Sequence, residues 1–334
     1  MSNRQEFDKI RNIVGAEEFP EDKSYMDDCF KKFLIMRNLM YISVIGVSFL
    51  ILQENRVIYI NEMLRLSLVW GMLIITFIYI IQKRKLHQEI NRYLYRECRP
   101  DVAISRHLSS FSRMLNRQIL WSYLQYNIGC GLFRLGEIDK ASRCLALMQE
   151  SCKTAGDMLY AEHLRMLIAL YYNDYDLVIS SANEGAALYQ KARHSAWHNK
   201  VFGDMQKAAA YAQCCKAGDY RQAYSILLAP NTRPLDEVTR HYYLFLAAKE
   251  LHDFETMEKC REYVRQNAGT TWYGRAVEDK FAFERKPSNY PGFVVSQEII
   301  NKPKLVDRTR LKYALIGALL ALAFYLIPQL MSIK

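Results

Sequence analysis

The sequence predicts an all-α protein: an α-solenoid of about four helical hairpins, a transmembrane helical hairpin before it, and a C-terminal transmembrane helix after it. Three observations predict this. From about residue 100 to 285 the chain reads as helices of roughly 12–18 residues with short polar breaks, and β-branched alternation is almost absent. Within that stretch four short turn segments resemble one another. Outside it the apolar residues gather into three blocks. Gly (14) and Pro (8) are scarce among 334 residues, which excludes collagen-like or Gly/Pro-rich disordered material.

Residues 1–33 are of mixed charge without an apolar core, so they read as an N-terminal cytoplasmic segment and not as a cleavable signal. Residues 34–82 form the expected transmembrane hairpin, from Leu39–Leu52 and Leu66–Ile81 joined by Gln53–Met63. Each block is short of the roughly 20 residues a spanning helix prefers. Arg37, Arg56, Arg65 and Lys83 can snorkel at the ends. Residues 83–117 are basic juxtamembrane and leading helices, 118–290 the repeat domain and 291–312 a basic linker that Pro287–Gly292 introduces. Residues 313–331, uninterrupted by charge, form the final span.

The net charge of +10 is unevenly placed. Lys83–Arg99 holds six basic and two acidic residues and Lys302–Lys312 five and one, whereas residues 101–290 are nearly balanced at 24 and 21. Basic residues beside apolar blocks set membrane orientation, so both ends of the middle domain are expected to face the cytoplasm. This placement argues against a nucleic-acid-binding face. The eight cysteines show no CxxC pair and no framework spacing, which suits reduced thiols packed as small apolar residues.

The four similar turns are Gly136-Glu137-Ile138-Asp139, Asn173-Asp174-Tyr175-Asp176, Gly218-Asp219-Tyr220-Arg221 and His252-Asp253-Phe254-Glu255, spaced 37, 45 and 34 residues apart. Each opens on a helix-ending residue, Gly136, Asn173, Gly218 or His252, suited to a left-handed conformation. An acidic residue follows, then a large apolar one. In the first copy Ile128-Gly129, Leu132, Gly136, Ala141 and Leu145 share one frame; the third repeats it with Gly218, Ala223 and Leu227. In the second and fourth copies Val178 and Met257 stand where the small Ala would be, and no closing proline follows the first. The 45-residue interval implies an insertion or longer helices around Glu184–Gly203. Arg106–Tyr123 and Gly274–Phe283 are amphipathic candidates to cover the ends of the array.

Over roughly residues 118–266 this pattern resembles the tetratricopeptide repeat, in which a Gly-Asp/Glu-Tyr turn joins helix A to helix B. The resemblance implies a concave groove lined by helix A side chains. Carried over, that frame puts Tyr126, Phe133 and Arg134 on the groove from the first copy, with Cys130 beside them. His163 and Tyr171 follow from the second, Lys216 from the third, and Tyr242 and Lys249 from the fourth. Aromatic anchors among Arg and Lys suit a protein or peptide partner with acidic and apolar residues.

Enzyme chemistry has little foothold. There is no Walker A loop, G-x-G-x-x-G or G-x-S-x-G. His194 and His198 are spaced i, i+4, but Ser195 stands where a metalloprotease needs Glu, and Cys214-Cys215 make a poor dithiol ligand. No metal or cofactor is therefore expected. The expected spans carry no Asp, Glu, Lys, Arg or His, which suits anchors better than transport or intramembrane catalysis. The reading is a non-enzymatic, membrane-anchored scaffold that binds a partner protein at the cytoplasmic membrane face. The other reading is a noncatalytic subunit of a membrane enzyme, secretion or transport complex, assembled through its spans.

Overall fold

The computed structural model describes residues 3–15, 17–20, 23–53, 62–113, 121–192 and 195–278. Among them every regular element is helical. Contacts divide the chain into two compact units, Met1–Met26 with Gln88–Lys302, and Asp27–His87 with Pro303–Lys334. The expected linker 291–312 and final span 313–331 lie outside the described residues.

The smaller unit carries most of α2 (Lys23–Gln53) and of α3 (Glu62–Tyr95). Phe33 of α2 stacks on Tyr79 of α3 at 5.7 Å. Large apolar side chains, among them Ile42, Ile45, Trp70, Ile74 and Phe77, are exposed along both helices. Among the described residues Leu66–Leu86 is long and apolar enough to cross a membrane by length and composition. Both helices outrun the apolar blocks that seed them. The expected boundary at residue 83 falls inside α3, because Lys83–Tyr95 contains no helix breaker.

In the larger unit α1 (Asn3–Val14) precedes an array of α4 (Pro100–Arg113), α5 (Trp121–Leu135), α6 (Ile138–Ser151), α7 (Ala155–Tyr172), α8 (Tyr175–Lys191) and α9 (Ala196–Lys216). The array continues through α10 (Tyr220–Ile226), α11 (Pro234–Glu250), α12 (Phe254–Asn267) and α13 (Trp272–Ala276). Each helix from α4 packs on the next, and α7 also packs on α5 and α9.

Four of the links have one geometry. Gly136, Asn173, Gly218 and His252 all take positive φ, at 93°, 55°, 72° and 55°. At each, the left-handed residue donates its N–H three residues back and the following acidic residue five back, as Glu137 N to Leu132 O (2.9 Å) and Asp219 N to Cys214 O (2.9 Å). These paired bonds satisfy the last carbonyls of the outgoing helix. The acidic residue then starts the incoming one. Asp174, Asp219 and Asp253 accept from the backbone N–H three residues on, at 3.0, 3.0 and 3.1 Å. Glu137 makes no such bond. Ala141, Val178 and Ala223 are fully buried where paired helices meet.

Since Gly218 has open space around it, Gly218→Val should cost only the backbone strain, roughly 1–2 kcal/mol. His252→Gly should raise stability by about 0.5–1 kcal/mol, because relief of the strained φ exceeds the added unfolded-state entropy. Thermal melts of the two variants against the parent check both signs.

The 45-residue interval is explained by the lengths of α8, 17 residues, and α9, 21 residues. The partner of α9, α10, has only 7, since Pro230 and Pro234 follow closely. The coverings differ from expectation. Of Arg106–Tyr123, the described parts belong to α4, up to Arg113, and to α5, from Trp121, and 114–120 lie outside the described residues. Instead of a tail helix over Gly274–Phe283 there is the five-residue α13, with residues from 279 outside the described set.

α13 returns to the beginning of the array. Thr270 N donates to Cys98 O (3.0 Å) and Thr270 Oγ1 to Asp101 Oδ1 (2.6 Å). Arg275 Nη2 donates to Leu135 O (2.7 Å), and Trp272 meets Phe133 edge-on. α1 also packs at the beginning of the array, on α4 and α6, with Phe7 stacked on Phe111 and Lys9 and Lys140 paired to Glu150 and Glu18. The N-terminal residues, expected to form a separate segment, thus contribute a helix to this unit.

Candidate functional site

A cavity of about 130 Å³ lies between α7, α9, α10 and α11, reached also by Arg134 of α5. A smaller one of about 30 Å³ adjoins it and shares Arg134, His163, Leu167, Lys200, Asp204 and Asp236. Met166, Leu167, Leu170, Ile226 and Leu227 make much of the larger wall apolar.

Most charges here are paired. Asp236 accepts from Arg233 Nε (2.8 Å) and lies 3.1 Å from Lys200 Nζ, which also bonds Asp204 at 2.5 Å. Burial alone would raise the Asp236 pKa, but Arg233 and Lys200 outweigh it and hold it below the usual carboxylate range. For Asp204, burial and the neighbouring Asp236 outweigh Lys200 and Arg233, and its pKa is pushed up. Arg233 also lies over the rings of Tyr95 (4.6 Å) and Trp197 (5.4 Å). His163 Nδ1 is 2.6 Å from the Tyr126 hydroxyl, and burial, with Arg134 and Lys200 nearby, drops its pKa to about 3. The imidazole is neutral.

Arg134 is different. It is buried, yet its hydrogen bonds run from Nη1 to two neutral hydroxyls, Thr239 Oγ1 (3.1 Å) and Tyr273. Among the described residues no carboxylate pairs with it. A buried guanidinium without a counter-charge is expensive, which marks a position suited to an incoming anion.

Of the residues expected on a groove, Arg134 and His163 line the larger cavity and Tyr126 the smaller. Phe133 and Tyr242 are buried against Trp272, and Tyr171 also meets that ring, so these three pack the returning end of the array. Lys216 is exposed and paired with Asp176, and Lys249 is exposed at the end of α11; neither lines either of these two cavities. Arg134, buried at the cavity, and Lys216, exposed outside it, were expected on one concave groove; they do not share this cavity. Sequence reasoning missed Lys200, Asp204, Arg233, Asp236 and Thr239. Only the i, i+4 pair Lys200/Asp204 and the i, i+3 pair Arg233/Asp236 left a local trace.

Cys98, Cys130 and Cys144 are free and buried, with thiol pKa values pushed by burial to about 11, 12 and 12, so they stay protonated. Among the described residues no group of three His, Cys, Asp or Glu could hold a metal ion. His194 lies outside the described residues.

A second buried cluster lies on α7 and α8. Arg165 Nη1 donates to Glu162 Oε2 (3.2 Å) and Glu184 Oε2 (3.3 Å). Burial raises the Glu162 pKa from 4.5 to about 8, although Arg165 opposes it. The folded state then holds this proton more tightly than the unfolded state. The associated stability is full below the unfolded pKa and is lost as pH rises through about 8. Glu162→Gln should flatten the decline in melting temperature between about pH 5 and 8, checked by melts across that range.

No family model matches the sequence, and no curated protein or solved structure matches it.

Proposed function

We propose that this chain is a membrane-anchored, tetratricopeptide-like adaptor whose helical array captures a partner protein. The observation that carries the repeat reading is the recurrence of one turn geometry at Gly136, Asn173, Gly218 and His252, each joining two helices that pack as a hairpin. Helical arrays of this kind expose extended surfaces and cavities without catalytic machinery. Anchoring is supported by Leu66–Leu86, in which Leu66, Trp70, Leu73, Ile74 and Phe77 are exposed, and by the basic run Lys83–Lys85 at its end. That run favours a cytoplasmic array, with the C-terminal block 313–331 as a further span.

The other reading, a noncatalytic subunit assembled through its spans, is favoured by Gly46 and Gly71, where a Cβ would meet nothing within 4 Å. Small unpacked positions on apolar helices let a partner helix approach. The two readings separate when Leu66–Leu86 is replaced by an unrelated apolar helix of equal length and the full chain is purified from membranes in mild detergent. The adaptor keeps its partners. A subunit held by its spans loses them, and that result would transfer the proposal to the second reading.

A further inference from the structure

The larger cavity combines three features that together specify a ligand. Its wall is largely apolar, with Leu167, Leu170, Leu227 and Tyr211 around it. Arg134, more than nine-tenths buried, lines it with Nε and Nη2 carrying no hydrogen bond among the described residues. Exposed Lys207, also lining the cavity, is the second cation there without a carboxylate partner among the described residues. Lys200 and Arg240 are already neutralised by Asp204, Asp236 and Glu237.

We propose that this cavity binds a carboxylate carried on an apolar body, the anion on Arg134 and the body against the leucines and Tyr211. A guanidinium offers paired N–H donors that match a carboxylate. Arg134 is the buried cation that needs a counter-charge, whereas exposed Lys207 is solvated, so one negative charge is enough and the two of a phosphate monoester are not needed. A neutral apolar molecule would leave Arg134 buried and unsatisfied, whereas the anion supplies the missing counter-charge. This rests on the reading of the array as a binding module and adds the chemistry it recognises. A free small acid and an acidic side chain flanked by apolar residues on a partner share that chemistry.

The test uses the full chain in lipid nanodiscs, with 3-phenylpropionate and its neutral amide as probes and empty nanodiscs as the blank. Calorimetric titration should show the acid binding and the amide binding about tenfold or more weaker, as expected for loss of a charged hydrogen bond. Arg134→Gln should weaken the acid by a similar factor, and Ala208→Trp, which fills the cavity without adding or removing a charge, should abolish binding. If Arg134→Gln does not fold, the acid–amide comparison and Ala208→Trp still decide. Equal binding of acid and amide, or undiminished binding to Ala208→Trp, overturns the proposal. So does absence of acid binding; if the partner is still captured, the adaptor reading survives it. Displacement of a captured partner by the acid assigns the carboxylate to the partner, and binding without displacement assigns it to a free small acid.

Discussion

Gly269→Ala should be among the most damaging single-methyl changes in the molecule. Gly269 has φ +56°, and a Cβ built on it would overlap the carbonyl oxygen of Cys98 and come within 3.0 Å of its carbonyl carbon. Neither neighbour can yield, because both are backbone and the same oxygen accepts from Thr270 N at 3.0 Å. Left-handed strain of about 1 kcal/mol adds to an overlap of about 1–3 kcal/mol. The sum, on the order of 3 kcal/mol, should lower the melting temperature by roughly 6–12 °C in a unit of this size. Gly218→Ala supplies the control: the same backbone region with nothing within 4 Å should cost about 1 kcal/mol. Equal losses for the two variants would mean that α12 and α13 do not close against the α3–α4 junction.

Trp272→Ala should cost about 3–5 kcal/mol, as for other buried tryptophans. Its ring is 2% exposed and sits among Phe133 (6.1 Å), Tyr171 (5.1 Å), Tyr242 (5.0 Å) and Tyr273 (4.3 Å). These residues come from α5, α7, α11 and α13, so the cavity left behind cannot collapse without moving several helices. Trp272→Phe should recover a large part of the loss. The same variants report on the cavity, because Tyr273 beside this ring hydrogen-bonds Arg134. Charge reversal at Arg134 should likewise destabilise the fold; it is not the silent surface change that an exposed groove residue would allow.

The contrast between the turns and the groove shows what the sequence could and could not reveal. A left-handed residue followed by an acidic helix starter is a local signal, set by the backbone bonds of five or six residues. All four turns were therefore legible, down to the His at position 252. The placement of helix A side chains depends on what covers them, and that is set far away. Phe133 and Arg134 meet Trp272 and Tyr273 across about 139 residues of sequence, and Thr270 meets Asp101 across 169. Helix A of an open array would present such residues to a ligand, whereas here α13 buries part of them. The docking of α1 was illegible for the same reason, since Phe7 finds Phe111 only after the array has formed. The apolar block at Leu66 was plain in the sequence, but the end of α3 was not, because its charged continuation is as good a helix as its apolar start.

The central claim, that the helical array and not the apolar helices captures the partner, is tested most directly by site-specific photo-cross-linking in native membranes. A photoreactive side chain replaces Ala229, which is exposed at the cavity, or Phe77, which is exposed on α3. A discrete cross-linked partner is expected from position 229. A partner cross-linked from position 77 and none from position 229 would contradict the claim.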